Sequence, residues 1–331
     1  MHFRRSFSDY YDSIEFINKT ENETITGNGN YYIHHAVFSF HYQNRAVFLD
    51  SDSKVLLDSC SFYKNSAKGR GGSFHIMKSD CILIHVCCSL SSSINLWGSA
   101  YHIYSALDSN IKSYAFECSV SQCSGFGAAY FHYQGDIQVS NMNTSYNKIT
   151  SYAGYAIQDP TGTGTMNLTT TFNSFSSQSG GMYNSGDFHI TKCNYIDNEY
   201  TGSESGIIIS ESNCIFSDCS FIRNKGNYIF DVKPNFDHCS FINNSNIRVA
   251  RDYAVKIDSG EPLNTFLSHF STYYCPGSFN FNDENDNINV DHIHKNSYEE
   301  EIGDNINIKY LIQLDKYVSN TSLFEIVKLI S

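Results

Sequence analysis

Seven acidic residues recur beside small or polar neighbours along the middle of the chain: Asp80, Asp108, Asp136, Asp159, Asp187, Glu211 and Asp231. Ser79-Asp80 and Gly135-Asp136 are typical of the setting. If these acids lie on successive turns of a repeating β fold, neighbours stand about 5 Å apart. Carboxylates at that spacing suit Ca²⁺, which takes several oxygen ligands. The spacing also falls near the roughly 5 Å separation of the two carboxylates in retaining glycosidases. Against both stands ordinary turn chemistry, because Asp next to Ser or Gly is a common turn former. The intervals between these acids are unequal, which works against an unbroken stack. The sequence therefore predicts solvated turn acids and requires no cofactor. Asp80, Asp108, Asp136, Asp159 and Asp187 are the candidate ligands should Ca²⁺ bind.

Other side chains could also do chemistry. His75, His102 and His132 suggest a short histidine column, and stacked imidazoles can share a metal such as Zn²⁺. Their alternation with Phe74, Ile76, Tyr101 and Ile103 places them on the outer face, as a polar ladder. The stretch Lys68-Gly-Arg-Gly-Gly-Ser73 has the composition of a phosphate cradle. A phosphate loop, however, needs G-x-x-x-x-G-K-[ST], and here the lysine precedes the glycines. The glycines are expected to turn the chain. The eleven cysteines include no C-x-x-C pair, so zinc-finger spacing is absent. Stacked cysteines would fit disulfide geometry poorly, and buried free thiols acting as small hydrophobes are expected. There is no G-x-S-x-G and no H-E-x-x-H, and no catalytic residue is assigned.

A repeat must position all of these groups. A Cys, Thr or Asn followed by a small polar residue and then a bulky apolar one begins at Cys60, Cys88, Cys118, Thr144, Asn173, Cys193, Cys219 and Cys239. This is strand alternation. Short strands of constant pattern joined by turns of variable length predict an all-β, right-handed parallel β-helix with about three short strands per coil. Eight coils would extend roughly 40 Å. Asn65, Asn198, Asn224 and Asn244 fall five residues after a start, where asparagine suits a left-handed turn. Residues 1–30 are expected to cap the helix, with 31–250 as the β-helix domain and 31–58 as weaker coils. Residues 251–331 are expected to form a C-terminal cap or tail. Within it, 280–289 reads as an acidic, Asn-rich loop, and Tyr310, Leu311, Leu314, Tyr317 and Val318 give 306–330 helical spacing.

Bulk composition narrows the partners. A formal net charge of −12 argues against nucleic acid and against an anionic membrane. No apolar run is long enough to span a bilayer, and the first residues lack the apolar core of a leader peptide. Six N-x-[ST] sequons, at Asn18, Asn22, Asn143, Asn167, Asn243 and Asn320, matter only if the chain is secreted. Localisation and oligomeric state are left open.

Phe62-Tyr-Lys-Asn65 followed by Gly71-Gly-Ser73 resembles the paired F-x-x-N and G-G-[AS]-I signature of polymorphic outer-membrane-protein repeats. These occur in chlamydial surface proteins and in β-helix surface proteins of parasitic protists. Tyr195-Ile-Asp-Asn198 with Ser205-Gly206-Ile207 resembles it in part. Phe221-Ile-Arg-Asn224 and Phe241-Ile-Asn-Asn244 resemble only its first half. The resemblance spans about residues 45–250 and implies a right-handed parallel β-helix used in adhesion or surface display. The leading expectation is therefore a non-catalytic interaction protein that binds protein or glycan along an extended surface. The alternative is a carbohydrate-active β-helix enzyme, a polysaccharide lyase or glycoside hydrolase. No Arg lies between Arg70 and Arg223, which weighs against lyase chemistry on acidic sugars.

Overall fold

The structure is a computed structural model describing residues 6–251, apart from 96, 106–110, 203–205, 211–212 and 245–247. The chain divides into two units, Met1–Asn280 and Phe281–Ser331, and everything described belongs to the first. The expected acidic loop at 280–289 and helix at 306–330 lie outside the described residues.

The described chain is a right-handed parallel β-helix. One coil shows the plan. Lys54–Asp58 lies in sheet A, Ser61–Tyr63 in sheet C, Ser66–Ala67 in sheet D and Phe74–Met77 in sheet B; the chain then re-enters sheet A at Asp80–Ile84. Among the described residues sheets A and B hold ten strands each, sheet C nine and sheet D seven. Each coil thus has four strands, not three. The extra one is the two-residue strand of sheet D, too short to show alternation in the sequence.

The inward column of sheet C runs Phe38, Phe62, Cys88, Val120, Thr144, Thr171, Tyr195, Phe221 and Phe241. Where aromatics meet in it they stack nearly parallel. Ring centroids are 4.8 Å apart for Phe38–Phe62, 4.9 Å for Tyr195–Phe221 and 5.0 Å for Phe221–Phe241. These distances repeat the strand spacing of about 4.8 Å, so one register sets both the backbone ladder and the core. The register also corrects the repeat. Cys88 stacks on Phe62, and Thr144 on Val120. The second coil therefore starts at Val86 and the fourth at Met142. The fifth starts at Thr169, since Thr171 pairs with Tyr195.

Two corners carry most of the backbone strain. Of 24 described non-glycine residues with positive φ, nine precede a coil start, from His35 to His238. Nine more lie four residues after a start, from Phe40 to Asn243. Each such conformation costs roughly 1 kcal/mol for an L-residue. Side-chain hydrogen bonds offset that strain. At the first corner the start residue donates across the left-handed residue to the carbonyl two positions back: Cys60 to Asp58 O at 3.4 Å, Cys219 to Ser217 O at 3.3 Å, and Thr169 to Asn167 O at 3.1 Å. The cysteine column is thus a column of hydrogen-bond donors as well as of small hydrophobes.

At the second corner the asparagines are not the left-handed residues. Lys64, Asp197, Arg223 and Asn243 adopt that conformation, and the following asparagine turns inward. Asn198 Oδ1 accepts from Ser174 N at 3.0 Å on the preceding coil. Its Nδ2 donates to Thr171 O at 2.9 Å. Asn65, Asn147, Asn224 and Asn244 bond in the same way.

The N-terminal residues do two jobs. A short helix, Phe7–Tyr11, packs Phe7 and Tyr11 against Leu56 and Ile82 on the outer face of sheet A, and Tyr11 donates to Val55 O at 3.1 Å. Ile17–Lys19 and Ile25–Thr26 then supply the first strands of sheets A and B. Asn22 bonds both backbone groups of Ser39, closing the exposed edge of sheet C.

Gly71 and Gly98 mark the entry to sheet B. Their φ angles are +69° and +80°, and a Cβ would come within 2.0 Å of Phe74 O or 2.3 Å of Tyr101 O. Gly71→Ala should therefore destabilise the fold by about 2–4 kcal/mol, combining left-handed strain with a backbone clash. A shift in urea midpoint measures it. Gly162→Ala, with φ +77° and open space around the new methyl, should carry only the conformational part.

Candidate functional site

The acidic candidates do not form one ladder. On sheet A the register runs Lys54, Asp80, Lys112, Asp136, Thr163, Asp187, Asn213. A cation, a threonine or an amide separates each acid from the next, so these acids stand two coils apart, about 10 Å. Each has its own partners. Asp80 pairs with Lys54 and accepts from Lys112 N. Asp136 accepts from Tyr114 and from Gln138 Nε2 at 3.0 Å. Asp187 accepts from Asn213 Nδ2 at 3.1 Å. Asp159 lies elsewhere, left-handed at the corner between sheets B and A. Asp231 accepts the backbone N–H groups of Ser210 and Val232. Asp108 and Glu211 lie outside the described residues. Among the described residues no three His, Cys, Asp or Glu side chains are placed to hold a metal ion.

The histidine column is two residues long. His75 and His102 pair in register on the outer face of sheet B, with ring centroids 4.6 Å apart, edge to face. They are buried, not a solvated ladder. The next position in their column is Phe131, and His132 points into the core between Ile103 and Ile157. There His132 Nδ1 meets Ser113 Oγ at 2.9 Å and Nε2 meets Tyr101 OH at 3.2 Å. This Ser–His–Tyr chain resembles a catalytic relay in composition only, because it is sealed inside the helix. Burial pushes the His132 imidazole down to about 3.

At the corner between sheets A and C, His85 lies between two carboxylates. It is 2.5 Å from Glu117 Oε2 and 3.9 Å from Asp58 Oδ1. Hydrogen bonds to Asp58 and Glu117 raise it to about 9, so it is charged at neutral pH. Burial works to raise the Asp58 carboxyl, but bonds from His85 and Ser59 outweigh it and hold Asp58 below the usual range. This is an ion-paired corner. The buried thiols are far from reactive: burial lifts Cys60, Cys118 and Cys123 to about 12.

The glycine-rich loop connects sheets D and B. Gly71 N and Gly72 N donate to Trp97 O and Gly98 O on the next coil, so these N–H groups stack loops and do not cradle an anion.

What the sequence did not single out is the flank built on sheet D. Its outward column reads Tyr42, Ser66, Ser92, Ser124, Lys148, Phe175 and Glu199. Among the described residues, six of the eleven exposed large apolar ones lie on this flank and its corners: Phe40, Tyr42, Leu90, Ile94, Phe126 and Phe175. Ile94 is 61% exposed and Tyr42 59%. Ile94 and Phe126 follow consecutive strands of the sheet, and Leu90 holds a left-handed corner beside them. The only hint in the sequence is apolar residues amid serines, as in Leu90-Ser-Ser-Ser-Ile94. Among the described residues no helix is long and apolar enough to cross a membrane. Comparison of the chain with protein-family models, with curated proteins and with solved structures finds no match to any of them.

Proposed function

We propose that the protein is a non-catalytic interaction protein that binds protein or glycan along the sheet D flank, in the manner of β-helix adhesins. The observation that carries this reading is the concentration of exposed apolar side chains in one strip, Leu90, Ile94 and Phe126 at its centre. Such a strip is uncommon on a surface that has no partner. Its aliphatic members favour a protein ligand, and Tyr42 and Phe175 can also meet sugar rings. The carboxylates that would serve an enzyme are held instead by Lys54, Tyr114, Gln138 and Asn213. Polymorphic outer-membrane-type repeats, which the sequence resembles, support the same reading by analogy.

The test pairs binding with turnover. Soluble protein should adhere to intact cells or to an arrayed glycan panel, and Leu90→Ser/Ile94→Ser/Phe126→Ser should bind at least tenfold more weakly with an unchanged melting temperature. Polygalacturonate and neutral glycans should gain no new chain ends. Depolymerisation that disappears in Asp136→Asn or Asp159→Asn would overturn the reading in favour of a carbohydrate-active enzyme.

A further inference from the structure

The chain carries 22 Lys and Arg against 34 Asp and Glu, yet one patch on the outer face of sheet B is basic. Arg45 precedes the strand Val47–Asp50 and lies against the glycine-rich loop of the next coil. Its Nε donates to Gly71 O at 3.3 Å, and its guanidinium packs on Gly69, where an added Cβ would come within 2.5 Å of Nη2. The same guanidinium lies 5.1 Å from the centroid of Phe48, whose ring is 5.8 Å from His75. Arg70 lies between those two glycines, in the loop on which Arg45 packs, and is exposed. Neither guanidinium has a carboxylate within 4 Å among the described residues. The nearby Asp50 is paired with Lys78 at 2.9 Å.

The two imidazoles of this face are incompletely bonded. His75 is 5% exposed and its Nε2 has no hydrogen-bond partner; His102 is 1% exposed and its Nδ1 has none. Buried polar atoms of this kind are scarce, because each forgoes the hydrogen bond that water would supply. The same column places Phe48 and Phe131 on either side of the pair, so the fold accepts an aromatic hydrocarbon at these positions. Two guanidiniums free of carboxylates and two imidazoles with unpartnered ring nitrogens share this face, and each can turn an N–H toward an acceptor.

We propose that Arg45, Arg70, His75 and His102 form an oxyanion site that takes a sulfate or phosphate group. Guanidinium groups bind such groups through paired, charge-assisted hydrogen bonds. A tetrahedral group offers these four side chains three or four oxygens spread in three dimensions, against two coplanar ones on a carboxylate. The ring nitrogens are closed off in this structure, so side chains at the rim must move for entry. The groups facing the histidines are Arg45, Arg70, Asp50 and, through the sheet, His132. Binding should draw a proton onto an imidazole and so strengthen as pH falls from 7.5 to 6.

Thermal melting and titration calorimetry of the full chain, with inorganic phosphate and sulfate against sodium chloride of equal ionic strength, test the site. A saturable rise in melting temperature of several degrees at millimolar oxyanion is expected, at least tenfold weaker in affinity for Arg45→Gln and Arg70→Gln. His102→Phe, which extends the Phe48 and Phe131 column, should keep the fold and bind at least fivefold more weakly. A sulfated oligosaccharide and its unsulfated parent distinguish an ester-borne group from the free ion: saturable binding of the free ion, of the sulfated sugar or of both supports the site. No saturable effect beyond chloride in any of these titrations, or an affinity in both arginine variants equal to that of the unsubstituted protein, would overturn it.

Discussion

Asn198→Ala should lower stability by about 3 kcal/mol, one of the two largest effects expected of this chain. The side chain is fully buried. Alanine would leave Ser174 N–H and Thr171 C=O without the partners that Asn198 supplies. It would also remove the donor to Asn224 Oδ1. Each orphaned group costs roughly 1–3 kcal/mol, and neither can reach water. Urea denaturation reads the loss directly. The position of the left-handed residue provides a sharper version. If asparagine were present for its backbone conformation, Asn198→Gly would be harmless. Because Asp197 is the left-handed residue, Asn198→Gly should be at least as damaging as alanine, and Asp197→Gly should be close to neutral. The Asp197–Arg223 pair lost in that variant is partly exposed and contributes little. Asn198→Asp keeps the acceptor but loses both donor bonds, and it buries a charge facing two oxygens. It should be the worst of the three at pH 7.

The coiled architecture could be read from the chain because its determinants are local and repeat. Cys-Ser-Phe and Cys-Asn-Tyr each encode one corner donor, one outward residue and one core residue, and at Cys60, Cys118, Cys193, Cys219 and Cys239 the columns agree with the register. They slip at Cys88 and Thr144 because a second small-polar pair lies two residues downstream of the true start. A slip of two leaves side chains on the same face, so Cys88 and Thr144 stay in the core. It also carries the third residue of the motif past the end of the strand, which is why Leu90 sits on an exposed corner. At Asn173 the slip is four residues, and Phe175 falls on sheet D, facing outward. A slip of one changes the face itself. Tyr101-His102 and Tyr130-Phe131-His132 look alike, but Tyr101 pairs with Tyr130 and His132 therefore points inward. The acidic candidates fail for a similar reason. Their spacing says nothing about what occupies the intervening coil, and on sheet A that coil holds Lys112 or Thr163. The sheet D flank could not be found by periodicity, since two residues define no period. The basic patch joins Arg45 to Arg70 across 25 positions of sequence, and only the stacking of coils brings them together.

The same stacking makes this protein acid-sensitive in a way its composition does not suggest. Histidine in an unfolded chain titrates near 6.5. In the fold, burial holds His75 and His132 at about 3 and His102 well below its usual value, with Arg45 and Arg70 adding to the effect at His75 and His102. Between those limits the unfolded chain binds protons that the folded chain does not. The contribution of the three neutral imidazoles is therefore complete above pH 6.5 and is lost as pH falls below it, toward about 3 for His75 and His132. Each site adds a slope of about 1.4 kcal/mol per pH unit once the unfolded form is protonated, and three together about 4 kcal/mol per unit. A domain of ordinary stability, about 10 kcal/mol, would unfold after roughly three units of acidification. His85 acts in the opposite sense. Its raised value contributes below pH 6.5 and is lost as pH rises to about 9, so it cannot supply the acid slope. Urea midpoints at pH 7.5, 6.5 and 5.5, in buffer free of phosphate and sulfate, isolate the histidines, because most carboxylates titrate lower. His75→Phe/His102→Phe should remove about two thirds of the slope between pH 6.5 and 5.5, whatever it does to stability at pH 7.5. A slope unchanged by that double substitution would show that the two imidazoles are already protonated in the folded protein.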